Sequence, residues 1–186
     1  RRSEREGIKI RIGNTKHDIY DFMNIYYNTM DYLKANDYYY FSESYFLNFN
    51  NYMDDMSRLM VAEIDGKIIG GMLYMLKGIY ASNHLSAADV SLRNTGVNVI
   101  IQHFVILDSI KENCKFIHLG GGRTSNPDDS LLRFKANFSN YMVDFKIGKK
   151  IYLPNIYENI IVQWKRKYPL AAAKYSNQLQ GYRHQF

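Results

Sequence analysis

The stretch from Leu59 to Leu76 leaves this chain little freedom. Leu59 to Ile64 is one apolar run and Lys67 to Leu76 is another, with Asp65-Gly66 between them. Two such residues between apolar runs favour a tight antiparallel hairpin, because Asp and Gly tolerate the positive φ angles that the turn demands. Tyr80 to Ala87 reads as a third strand of the same sheet. Gly70 and Gly71 fall inside the second strand, where glycine weakens pairing, so they mark a bulge or a close approach of backbone.

Helical periodicity supplies the flanks. Over residues 17–34, Ile19, Phe22, Met23, Tyr26, Met30 and Leu33 recur at spacings of three and four, an amphipathic helix. An aromatic cluster follows at Tyr38 to Phe41, and Ser42 can cap a second helix that carries Tyr45, Phe46 and Phe49 on one face. A long helix from Val97 to Glu112 is expected to pack Val99, Ile100, Phe104, Leu107 and Ile110 on the sheet. The apolar run Phe116 to Leu119 then reads as a buried strand, parallel to the preceding one through this crossover. Val143 to Tyr152 reads as one or two strands with a turn at Gly148, made basic by Lys146, Lys149 and Lys150. A last helix over residues 155–168 turns Ile156, Ile160, Ile161 and Trp164 inward and ends with Lys165, Arg166 and Lys167 before Pro169. The segments are a basic stretch 1–16, a main domain 17–168 and a tail 169–186 that forms a loosely attached helix.

Composition narrows the function classes. A net charge of +6 on 186 residues favours an anionic partner, such as a nucleotide cofactor, tRNA or an acidic wall polymer. Cys114 is alone, so no disulfide framework exists, and it reads as a buried small hydrophobe. No apolar run approaches the roughly 20 residues of a bilayer span, and the N-terminal stretch has no apolar signal core, so a cytoplasmic protein is expected. His17, His84, His103, His118 and His184 are scattered, so a metal site is not expected. Neither a G-x-S-x-G elbow nor a Walker loop is present.

Two stretches carry candidate chemistry. From Lys115 to Ser139 an apolar strand runs into Gly120, Gly121 and Gly122, then a polar loop, then a helix opened by Asp128, Asp129 and Ser130. A strand, a glycine turn and a helix start bring exposed N–H groups together, although a tight connection without a ligand uses the same residues. Asp128 and Asp129 read as helix caps. His118 shares a strand face with Phe116 and can serve as a base or as a structural histidine; His84 is a second imidazole candidate. The other stretch is Arg93 to Asn98, between the third strand and the long helix. A helix start there leaves amide N–H groups unpaired. Alternatively, Thr95 is a simple N-cap, with Gly96 easing the turn.

The blocks HLGGGR at His118 to Arg123, DDSLLRFKANFS at Asp128 to Ser139 and FKIGKKIY at Phe145 to Tyr152 resemble the Fem-like members of the GNAT acyltransferase superfamily. YYYFSESYF at Tyr38 to Phe46 and LMVAEIDGKIIGGMLYML at Leu59 to Leu76 extend the resemblance to about residues 20–165. It implies an α/β fold with a GNAT-like mixed, mostly antiparallel central sheet flanked by helices. It implies an N-acyltransferase in which acetyl-CoA or another acyl-CoA is the donor and an amine on a small molecule, sugar or peptide is the acceptor. The Fem-type alternative is an aminoacyl-tRNA donor with a peptidoglycan precursor as acceptor. A third reading is a non-catalytic half of a two-domain enzyme, acting with a missing N-terminal half or as a homodimer. Carried onto this sequence, the resemblance gives Lys135, Phe134 and His118 as catalytic candidates. Arg93, Gly96, Val97 and Asn98, with Gly120, Gly121, Gly122 and Arg123, become the donor-binding candidates. Two departures stand out: Asn98 where the acyl-CoA loop usually has Gly or Ala, and His118 where wall-bridge members often carry Asp.

Overall fold

The computed structural model describes residues 7–52, 56–92, 94–124 and 126–185. It divides into two compact units, Arg1–Ser139 and Asn140–Phe186.

The first unit is built on a five-stranded sheet in sequence order. Strand β1 (Lys9–Gly13) leads to helix α1 (Lys16–Tyr32), a 3-10 turn (Asp37–Tyr39) and helix α2 (Glu43–Tyr52). Strands β2 (Ser57–Ile64), β3 (Lys67–Lys77) and β4 (Tyr80–Ala88) form an antiparallel meander; helix α3 (Val97–Lys111) crosses over to strand β5 (Phe116–His118), and helix α4 (Ser130–Ala136) follows. The β1–β2, β2–β3 and β3–β4 pairings are antiparallel and β4–β5 is parallel. The mixed, mostly antiparallel sheet expected from the sequence is therefore present.

Local chemistry explains these boundaries. Asp65 and Gly66 both have positive φ, 50° and 78°, as the two-residue hairpin requires. Thr15 caps α1 in a reciprocal capping box with Asp18. The Asp18 carboxylate also bonds Arg11 on β1 at 2.7 Å, and Arg11 reaches Glu63 on β2 at 2.8 Å. Ser42 Oγ accepts from the Tyr45 amide at the start of α2. Gly70 and Gly71 serve both expected purposes: the β2–β3 register slips between Ala62 and Glu63, opposite Gly70 and Ile68, and a Cβ on Gly71 would lie 2.8 Å from Phe22 Cδ2.

Two cores lie on opposite faces of the sheet. One packs Phe22, Tyr26 and Phe46 of α1 and α2 on Leu59, Val61, Leu73 and Ala87. The other packs Val97, Ile101 and Val105 of α3 on Met60, Ala62, Met72 and Tyr74. Arg58 and Tyr74 lock α3 further, bonding Asp108 at 2.7 and 2.6 Å. The expected face of α3 is wrong. Val99, Phe104, Leu107 and Ile110 are exposed, while Val97, Ile101, Gln102, Val105 and Ser109 face the sheet. The helix is apolar nearly all round, and polar Gln102 and Ser109 go inward because Asn83 and the Val105 carbonyl meet them. Leu33, just beyond α1, is also exposed. Strand β5 is an edge, and Phe116 is 58% exposed, stacked on Tyr80 rather than buried.

In the second unit, helix α5 (Pro154–Lys167) is followed directly by helix α6 (Pro169–Tyr175) and a 3-10 turn (Gly181–Arg183). Pro169 thus opens a helix, where its missing N–H costs nothing. Trp164 is buried against Ala171 and Ala172, and its Nε1 donates to the His184 carbonyl at 2.7 Å. Ile156 and Ile160, expected inside, are exposed. Residues 143–152 form no strand; Val143, Phe145 and Ile147 are exposed. Alternation there shows that a strand is possible, but no partner strand pairs with it.

Candidate functional site

The sheet opens at its β4–β5 end. The two strands pair only over Tyr80–Ser82 and Phe116–His118, and β4 then runs on to Ala88. Just past the last pair, β4 gains a residue. Tyr74 faces Asn83 and Leu73 faces Leu85, which leaves His84 as a bulge. Bulges re-aim side chains and end pairing. His84 stacks on Phe49, with centroids 4.9 Å apart and planes 2° from parallel, and its Nε2 shares a hydrogen bond with the Tyr45 hydroxyl. Burial lowers the His84 pKa and raises that of Tyr45. Tyr45 in turn stacks on Phe41 at 4.4 Å. The aromatic segment is tied down by Tyr26 and Tyr27, whose hydroxyls donate to the carbonyls of Tyr39 and Phe41.

At the start of α3, Gly96 is the N-cap with φ 84°, and no side chain caps the helix. Thr95 does not take that role: its hydroxyl donates to the Leu92 carbonyl at 2.6 Å. The first turn contains no acidic residue. Val97 is buried, and Asn98 buries its Oδ1. Arg93 lies outside the described residues. One turn on, Gln102 Oε1 accepts from Asn83 Nδ2 at 2.6 Å.

The glycine loop is organised by Asp129, the N-cap of α4. Its Oδ1 accepts from the amides of Leu131 and Leu132, and its Oδ2 from the amides of Arg123 and Thr124 and the Thr124 hydroxyl. These backbone donors hold the carboxyl below the usual range. A Cβ on Gly122 would lie 2.7 Å from Asp129 Oδ1, so glycine allows the loop to close on the carboxylate. Lys135 Nζ donates to the Gly121 carbonyl at 2.8 Å, and burial lowers its pKa. The expected glycines, Arg123 and Lys135 therefore come together. Phe134 packs edge-on against Phe138, and Arg123 Nη2 bonds Ser130. His118 is exposed at the sheet edge.

Tyr45, Asn83 and Gln102 carry no clear sequence signal of a shared site. Tyr45 looks like one more core aromatic, and it meets His84 across 39 residues only because of the bulge. Gln102 is masked by the apolar residues around it. An open depression lined by Ile25, Asn28, Tyr32, Asp89 and Val90 contains none of the candidate groups. Among the described residues no three His, Cys, Asp or Glu side chains could hold a metal ion. No described helix is long and apolar enough to cross a membrane.

No family model matches the chain, and no curated protein matches it in sequence. Solved structures do. An aminoglycoside acetyltransferase from an uncultured soil metagenomic sample, in complex with trehalose, superposes with a TM-score of 0.58 at 14% identity, over 80% of this chain and 97% of that one. A possible acetyltransferase from Clostridium difficile gives 0.60 at 12%, over 78% and 98%. A ribosomal-protein-alanine N-acetyltransferase from Brucella melitensis gives 0.57 at 12%, over 78% and 99%. The chain has the GNAT-like α/β fold that these acetyltransferases share.

Proposed function

We propose that this chain is an N-acyltransferase that moves an acetyl or other acyl group from acyl-CoA to an amine. The observation that carries the reading is the fork: β4 parts from β5 at Ser82, and the bulged His84, bonded to Tyr45, stands where they part. Such a gap admits a thioester edge-on beside a proton acceptor. The uncapped start of α3 supports it, because free amides and the helix dipole favour phosphate. Gly96, Val97 and Asn98 would offer those amides.

The amine nitrogen attacks the thioester carbonyl carbon, the C–N bond forms, the C–S bond breaks and the thiol sulfur leaves. In our reading Tyr45 Oη takes the proton lost by the amine while its own proton passes to His84 Nε2. Burial keeps that imidazole neutral and able to accept. His84 thus takes the place first given to His118. Lys135, beside Gly121, would stabilise negative charge on the donor. The acceptor would approach from the α1–α2 side, where Tyr38, Tyr39 and Tyr40 are exposed. Trehalose and sisomicin in complexes of similar structures favour a small, hydroxyl-rich acceptor.

A Fem-like enzyme with an aminoacyl-tRNA donor is the second reading. Lys146, Lys149 and Lys150, all exposed, favour it, since they offer phosphate contacts. Calorimetric titration with acetyl-CoA separates the two. Micromolar binding, weakened by Lys135→Ala, supports the first. No binding by folded protein sinks it, and a gel-shift with aminoacyl-tRNA then separates the second from a non-catalytic half-domain.

A further inference from the structure

The net charge of the chain is unevenly placed. Its 24 Lys and Arg exceed its 18 Asp and Glu by six. Asn140–Phe186 holds eight of those cations and only two of the carboxylates, Asp144 and Glu158. The first unit carries sixteen of each and is neutral, so the whole +6 lies on the second. Charge of one sign on so short a segment favours a polyanionic partner. The same segment exposes apolar side chains. Phe145 is 87% exposed, and Val143, Ile147, Leu153, Ile156 and Val162 are exposed with it. Single apolar residues on a surface need no explanation, but a run of them does.

The two features interleave. Lys146 separates Phe145 from Ile147, and Lys149 and Lys150 lead into Ile151 and Tyr152. Lys150 Nζ stands 4.8 Å from the centre of the Tyr152 ring. A ring with a polar tip beside a lysine suits the boundary between water and hydrocarbon. Helix α5 continues the pattern. It turns Trp164 and Ile161 inward, leaves Ile156 and Ile160 exposed one turn apart, and ends in Lys165, Arg166 and Lys167. A nucleic acid would use the cations and the rings, but Val143, Ile147, Ile156 and Val162 offer it nothing. A second copy would bring like charge against like. A bilayer with anionic headgroups takes both features, the cations at its phosphates and the apolar side chains below them. No described helix is long and apolar enough to cross it. We infer that the second unit, through residues 143–153 and the exposed flank of α5, docks on an anionic lipid surface and tethers the chain there without spanning it. The inference stands whichever acyl donor the first unit uses.

The test sediments the full chain with vesicles of equal parts phosphatidylcholine and phosphatidylglycerol, and separately with vesicles of phosphatidylcholine alone. The wild type is expected to pellet with the anionic vesicles and to stay in solution with the neutral ones. Removing three cations together, by Lys146→Ala, Lys149→Ala and Lys150→Ala, should weaken binding about 100-fold. Phe145→Ser with Ile147→Ser leaves the charge untouched and should weaken it about tenfold. Both variants change exposed side chains only, so their Tm is expected to match that of the wild type. A wild type that does not pellet with the anionic vesicles overturns the inference. So does pelleting that is indifferent to Phe145→Ser with Ile147→Ser, since charge alone would then account for it. Binding to single-stranded RNA of mixed sequence in place of the vesicles also overturns it, by assigning the cations to a nucleic acid.

Discussion

Gly71 gives the sharpest test of how the sheet carries α1. A Cβ there would sit 2.8 Å from Phe22 Cδ2 and 2.9 Å from the Met60 carbonyl oxygen. Ordinary contact begins at 3.4 Å, so the Phe22 ring must retreat by 3.4 − 2.8 = 0.6 Å. It has nowhere to go: Phe22 is fully buried, with Tyr26 and Phe46 rings both 6.3 Å away. The Met60 oxygen belongs to β2 backbone beside the same strand pairing and moves no more easily. Overpacking of this kind costs about 1–3 kcal/mol, and the entropy gained by replacing glycine offsets about 0.5–1. Gly71→Ala should therefore lose about 1–2 kcal/mol in urea unfolding, or about 2–8 °C in Tm for a chain of this length. The cause is checked by a double-mutant cycle. Phe22→Leu alone should cost about 1 kcal/mol, and the double variant should be about 1 kcal/mol better than the sum. Strict additivity, or a Gly71→Ala protein as stable as the wild type, would refute the close approach of α1 to β3.

Three further outcomes are expected. Asp18 is held below the ordinary carboxylate value of 3.8 chiefly by its bond to Arg11, so its contribution is present above about pH 4 and lost as pH falls toward the folded pKa. Arg11→Met should flatten this acid limb in stability measured against pH, and an unchanged limb would show that Arg11 is not its source. If His84 accepts the proton, the acid limb of kcat/KM should lie below pH 6.5, the ordinary imidazole value, because burial lowers its pKa. A limb centred above 6.5 removes His84 from that role. Trp164→Ala should cost about 3–5 kcal/mol, since the ring is 5% exposed; equal stability would mean the ring contributes nothing to the second unit.

The sequence made some elements plain because a single local rule decided them. Asp65-Gly66 admits one turn, and the spacing from Ile19 to Met30 admits one buried face. Where two rules competed, it did not decide. Helix α3 is apolar on nearly every side, so periodicity could not choose between Val99–Phe104 and Val97–Ile101–Val105. Phe116 looks buried by composition but sits on an edge strand, which depends on what pairs beyond it. At the candidate site the glycine loop, Asp129 and Lys135 are neighbours in sequence and could be read there. The Tyr45–His84 and Asn83–Gln102 contacts join distant elements through a register slip, and one-dimensional pattern carries no record of register.

Asp129 constrains how this region can change. One carboxylate holds the helix start with one oxygen and the loop amides with the other, across six residues of chain from Arg123. Most substitutions between them can be absorbed, Thr124 being the costlier one to replace because its hydroxyl also bonds the carboxylate. An inserted or deleted residue cannot, because it would take the carboxylate out of reach of the helix or of the loop. Length is fixed there more tightly than sequence, so chains built on this loop could diversify the segment by replacement rather than by insertion or deletion.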